Sequence, residues 1–99
     1  LLHHLADPRT MWRSVAIARP GAAVMVQDLR RPEDEAALAA LVAQHTVGAD
    51  PVLVEDFTHS LRAAYTVAEI EAQLAATDLD LAVEAVGDRH VVVSGFLST

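Results

Sequence analysis

The chain has 99 residues with 53% hydrophobic and only 4% aromatic side chains, so a core has to be assembled from Leu, Val, Ile and Ala. Fourteen acids against seven Lys and Arg give a net charge of −7, which argues against a nucleic-acid partner, because phosphate backbones are held by Lys and Arg. Cysteine is absent, which removes disulfide frameworks and thiolate metal sites and fits a reducing cytoplasm, and no apolar run approaches the roughly 18 residues that would span a membrane.

In chain order, LLHHLADPRTMW comes first. Asp7 is suited to an N-cap and Pro8 to the first helical position, where its missing N–H costs nothing. Met11, Trp12, Val15, Ile17 and Ala18 follow at helical spacing, and Pro20-Gly21 stops the helix. The uninterrupted run AAVMVQD (22–28) predicts a strand covered on both faces, as in the interior of a parallel sheet. Arg31-Pro32-Glu33-Asp34-Glu35 opens a second helix with acids at the positive end of its dipole and an apolar stripe at Ala37, Leu38, Leu41 and Val42. Gly48 to Pro51 reads as a break and residues 56–65 as a short helix. Thr66-Val67-Ala68-Glu69 is a capping-box pattern opening a helix with Ile70 and Leu74, ending near Thr77-Asp78. LAVEAV (81–86) and HVVVSGFL (90–97) are strands joined by Gly87-Asp88-Arg89, a hairpin.

The order is α/β within one domain. An apolar strand at 22–28 wants a partner on each edge, and the hairpin supplies one. The other edge is predicted bare and prone to pairing. The sequence therefore reads either as the back portion of a larger α/β sheet or as a subunit that closes its sheet against another copy.

The segments LLHHLADP, DLRRP, SLRAAYT and DRHVVVSG, taken in series, resemble the C-terminal half of a class I S-adenosylmethionine-dependent methyltransferase, and the likeness covers nearly all of residues 1–99. It implies a Rossmann-like sheet whose last strand runs antiparallel and inserts between its neighbours, placing 90–97 between 22–28 and 81–86. It also implies an incomplete domain, because the family holds its cofactor mainly through a glycine-rich loop in the front half. Gly21, Gly48, Gly87 and Gly95 are scattered and form no such loop. The expectation is that the intact parent uses S-adenosylmethionine to methylate a small-molecule acceptor, and that these 99 residues alone bind no cofactor and are inactive.

Ligands of open α/β sheets sit outside the carboxyl ends of the strands. Asp28 ends the strand there, with Arg30 and Arg31 beside it. In the resemblance this rim faces the acceptor, so Asp28 orients or deprotonates an acceptor hydroxyl or amine, against the alternative that it serves the following turn or pairs with an arginine. His3 and His4 fall near the transferring methyl group in the same family, with His4 favoured as general base and packing or capping as the alternative. Tyr65, in the helical insert, stacks on an acceptor or anchors the fold. Asp88-Arg89-His90 reads as turn geometry with an ion pair, and Trp12 as core or interface. His3, His4, Asp7, His59 and His90 lack the spacing of a helical metal motif, so no metal is expected. The rival to the enzyme reading is a non-catalytic interaction module that forms a homo-oligomer through its open sheet edge; in the parent, the same edge pairs with the missing N-terminal half.

Overall fold

A computed structural model describes residues 7–17 and 21–97. The element order is α1 (Pro8–Ala16), β1 (Ala23–Leu29), α2 (Glu35–His45), α3 (Pro51–Ala63), α4 (Val67–Ala76), β2 (Ala82–Val86) and β3 (His90–Phe96). The three strands form one sheet in the order β1-β3-β2, and both neighbouring pairs are antiparallel. β3 therefore lies between β1 and β2, which run parallel to each other without touching. This is the strand arrangement expected from the sequence.

Each helix start has a local cause. Asp7 accepts the Arg9 N–H at 3.0 Å, Asp34 the Ala37 N–H at 2.8 Å and Asp50 the Val52 N–H at 2.8 Å. The capping box of α4 is complete: the Thr66 hydroxyl accepts from the Glu69 N–H, and the Glu69 carboxylate accepts from the Thr66 N–H at 2.9 Å. α3 starts five residues earlier than the sequence-predicted 56–65 and ends at Ala63. The Asp50-Pro51 pair that reads as a break is an N-cap followed by proline at the first helical position, the signature that also opens α1.

The main core lies on one face of the sheet. Trp12 of α1, Ile70 and Leu74 of α4, and Val91 and Val93 of β3 form one buried cluster, with Val26 and Val83 packed against it from the outer strands. Trp12 is fully buried, and its indole N–H donates to Gln73 Oε1 at 3.0 Å, which joins α1 to α4 through a satisfied polar contact.

The expectation that β1 is an interior strand covered on both faces is corrected. β1 is an edge strand whose only strand neighbour among the described residues is antiparallel β3. Its side chains alternate: Val24, Val26 and Asp28 turn toward the core, while Ala23, Met25 and Gln27 are exposed. An unbroken apolar run fits either pattern, and only neighbours decide between them. The uncovered face carries Met25, 73% exposed, and Phe96, 72% exposed, beside Ala82 and Val86.

Leu38, Leu61 and Ala64 are buried outside the main cluster. α2 packs on α3, and neither helix packs broadly against the sheet. The pair forms an arm within a molecule extending 48 × 22 × 19 Å. Arg62 and Glu35 join the two helices across their exposed sides, with hydrogen bonds of 3.2 and 3.1 Å.

Candidate functional site

The carboxyl end of β1 gathers four of the residues singled out from sequence, Asp28, Arg30, Arg31 and Tyr65. The Arg30 backbone N–H continues the ladder by donating to Arg89 O at 2.7 Å. The chain then bends, and the Arg31 N–H turns to the other side, where it donates to Tyr65 O at 3.2 Å. Arg30 and Tyr65 accordingly form an isolated parallel bridge. The expectation that Tyr65 is helical is corrected: α3 ends at Ala63, and Ala64 and Thr66 on either side of Tyr65 are extended, so the linker from α3 to α4 lies across the outer edge of β1. The Tyr65 side chain packs against the Trp12 cluster.

Both arginines are engaged by the protein itself. Arg30 donates to the carbonyls of His90 and Gly87, which clamps the β2–β3 turn onto β1. Arg31 donates to Ala64 O at 3.3 Å and pairs with Glu69 Oε1 at 3.0 Å. Desolvation pushes the Glu69 carboxyl up, but the Thr66 N–H and Arg31 outweigh it, so its pKa lies below the ordinary value of 4.5. Arg31 thus ties the start of the arm, its end and α4 together.

Asp28 sits at the last core-facing position of β1 and is the buried charged residue of the described chain, 9% exposed. Its Oδ1 accepts the N–H of Leu29, the next residue of the same strand, at 2.8 Å. His3 and His4 lie outside the described residues.

Beside this rim, a cleft of about 370 Å³ separates α2 from the β2–β3 turn, with Arg30, Arg31, Leu41, Gln44 and Asp88 in its wall. At its outer end His45 Nε2 stands 2.8 Å from Asp88 Oδ2 and 3.3 Å from Arg89 Nη1. Arg89 also pairs with Asp88 Oδ1 at 2.9 Å. The hydrogen bond from His45, helped by Arg89, holds the Asp88 carboxyl below its ordinary 3.8. The ion pair within the turn is foreseeable from sequence; His45 is not, because its only signal is a histidine at a helix end 43 residues away.

Among the described residues no three His, Asp or Glu side chains converge as a metal site. No helix there is long and apolar enough to cross a membrane. The described glycines also do not build a nucleotide cradle. Gly21 precedes β1, Gly48 lies between α2 and α3, Gly87 is in the hairpin turn and Gly95 lies inside β3, where an added Cβ would meet Leu81 at 3.1 Å. None forms a turn from a strand into a helix N-terminus, the arrangement that cradles a nucleotide in open α/β sheets.

The outer edge of β1 is the other conspicuous feature. The Arg30 N–H and the Ala22 carbonyl bond toward β3. Because such groups alternate along an antiparallel strand, the N–H and C=O of Ala23, Met25 and Gln27 point to the opposite side, whereas at Leu29 the linker around Tyr65 already crosses that side and Asp28 Oδ1 takes the N–H. Among the described residues no strand pairs with them there. Compared with known proteins, the chain matches no protein-family model, no curated protein and no solved structure.

Proposed function

We propose that the chain is the acceptor-side half of a class I S-adenosylmethionine-dependent methyltransferase. The observation that carries this reading is the sheet order β1-β3-β2, with an antiparallel last strand inserted between two mutually parallel ones. The rim at the end of β1 is then where a small-molecule acceptor is presented. Asp28 is its orienting carboxylate and His4 its general base. His3 and Tyr65 belong to the same acceptor side, while Arg30 and Arg31 hold the framework around it through the contacts described above. The cofactor belongs to the intact parent, in the cytoplasm, and β1 pairs there with the N-terminal half.

The test is the protein encoded with whatever lies upstream of Leu1. It should contain a glycine-rich strand–loop–helix and move a labelled methyl group from S-adenosylmethionine to a small molecule. An upstream sequence without that segment would sink the proposal.

A second reading rests on a separate observation, the uncharged outer edge of β1 from Ala23 to Gln27, which no strand among the described residues pairs with, beside exposed Met25 and Phe96. In it, two copies pair edge to edge across a two-fold axis, without catalysis. Native mass spectrometry should then show dimers that Met25→Glu converts to monomers. Monomers at high concentration in the unsubstituted chain would rule this reading out.

A further inference from the structure

We infer that the α2–α3 arm is a hinged cover over the cleft beside the carboxyl end of β1, held closed by a latch of His45, Asp88 and Arg89. The arm is fixed at its root, where Arg31 bonds to Tyr65 O and Ala64 O and pairs with Glu69. At the far end of α2, His45 reaches across to the β2–β3 turn. The cleft lies between these two points, with Leu41 and Gln44 on the arm side and Arg30 and Asp88 on the sheet side. Among the described residues, the contacts of His45 with Asp88 and Arg89 are the hydrogen bonds joining α2 or α3 to the sheet hairpin. All three latch residues are reached by solvent. Opening the latch therefore leaves no buried charge behind, in contrast to a buried ion pair.

The chemistry of one nitrogen makes the latch exchangeable. His45 Nε2 faces a carboxylate oxygen and a guanidinium nitrogen at once. A protonated Nε2 donates to Asp88. A bare Nε2 accepts from Arg89. One nitrogen cannot do both, so proton position selects which residue of the turn holds the arm. The groups facing the ring are Asp88 and Arg89 from the turn and the uncharged Phe57 of α3, whose ring stands edge-on at 6.3 Å. Phe57 keeps the imidazole on the arm when the turn lets go.

The chain has no cysteine, so Val47→Cys at the arm tip and Glu84→Cys on β2 give a unique pair of spin-label sites. Both positions are exposed. Pulsed electron spin resonance on the labelled chain should give one narrow distance distribution. His45→Ala and the double substitution Asp88→Ala with Arg89→Ala should each broaden it toward longer distances. His45→Gln, whose amide N–H still reaches Asp88, should keep it narrow. Trp12 fluorescence reports in every case that the sheet body is folded, and if His45→Ala fails to fold, the double substitution of Asp88 and Arg89 at the turn decides alone. An unchanged distribution in the alanine variants, or a broad one in the parent labelled chain, overturns the inference. The readout needs no cofactor, so it stands or falls independently of the methyltransferase reading.

Discussion

The sheet body and the α2–α3 arm are built from the same aliphatic residues but hold them differently. In the body, Trp12, Ile70, Leu74, Val91 and Val93 meet in one cluster. In the arm, α2 reads EAALAALVAQH and buries only Leu38, while Val47, Val52 and Leu53 at the far end remain exposed. The body's patterns are one-sided: β3 alternates, and α1 sets Trp12 against its exposed Arg13 and Ser14. α2 turns its predicted stripe of Ala37, Leu38, Leu41 and Val42 inward, but three of those four stay only partly covered, so the stripe builds a thin contact rather than a core. The lesson is that composition supplies the driving force and periodicity decides where it is used. The body has one contiguous core, and the arm is held to it at its root and its latch.

Four perturbations can break or sharpen that contrast. Trp12→Ala should have the largest effect, about 3–5 kcal/mol from the cavity alone, and it also strips Gln73 of its partner. Urea unfolding should show the loss as a lower midpoint for the whole chain. Leu61→Ala, in the arm, should cost about 2–5 kcal/mol locally. Hydrogen exchange should then rise across α2 and α3 while β3 amides stay protected; uniform loss of protection would erase the distinction between the regions. Thr66→Ala removes half of the capping box and should cost about 1 kcal/mol, read from the thermal midpoint and from faster exchange at the first turn of α4.

The smallest effect is that of acid. Asp88 and Glu69 both have folded pKa values below their ordinary 3.8 and 4.5. Their contributions are complete above those values and fade as pH falls through the lower folded ones. The Asp88 contribution belongs to the latch and the Glu69 contribution to the root. Spin-label distances followed below pH 4 should therefore broaden in the Val47→Cys, Glu84→Cys chain and change less when that chain also carries Asp88→Ala, which has already lost the group.

Much of the body was legible in the sequence. The N-cap at Asp7, the capping box at Thr66, the hairpin around Gly87 and the three strands are local signals, and the structure has them within a residue or two. Two features were not local. β1 reads as doubly covered because alternation is invisible through its apolar stretch 22–26, and the open face shows only once the sheet is assembled. The tie of Arg31 to Ala64, Tyr65 and Glu69 joins segments more than thirty residues apart in sequence, so no window along the chain contains it. At the rim, Asp28 is legible as a strand-end acid, and its bond to the Leu29 N–H is a short-range contact; the engagement of Arg30 by the hairpin carbonyls depends on the fold.

The most direct test of the functional claim is calorimetric titration of S-adenosylmethionine into two proteins side by side. One is the 99-residue chain, and the other is the same chain carrying its upstream coding sequence. The account predicts no binding heat for the first and one-to-one binding for the second. Saturable binding by the 99 residues alone, or none by the longer protein, would contradict it.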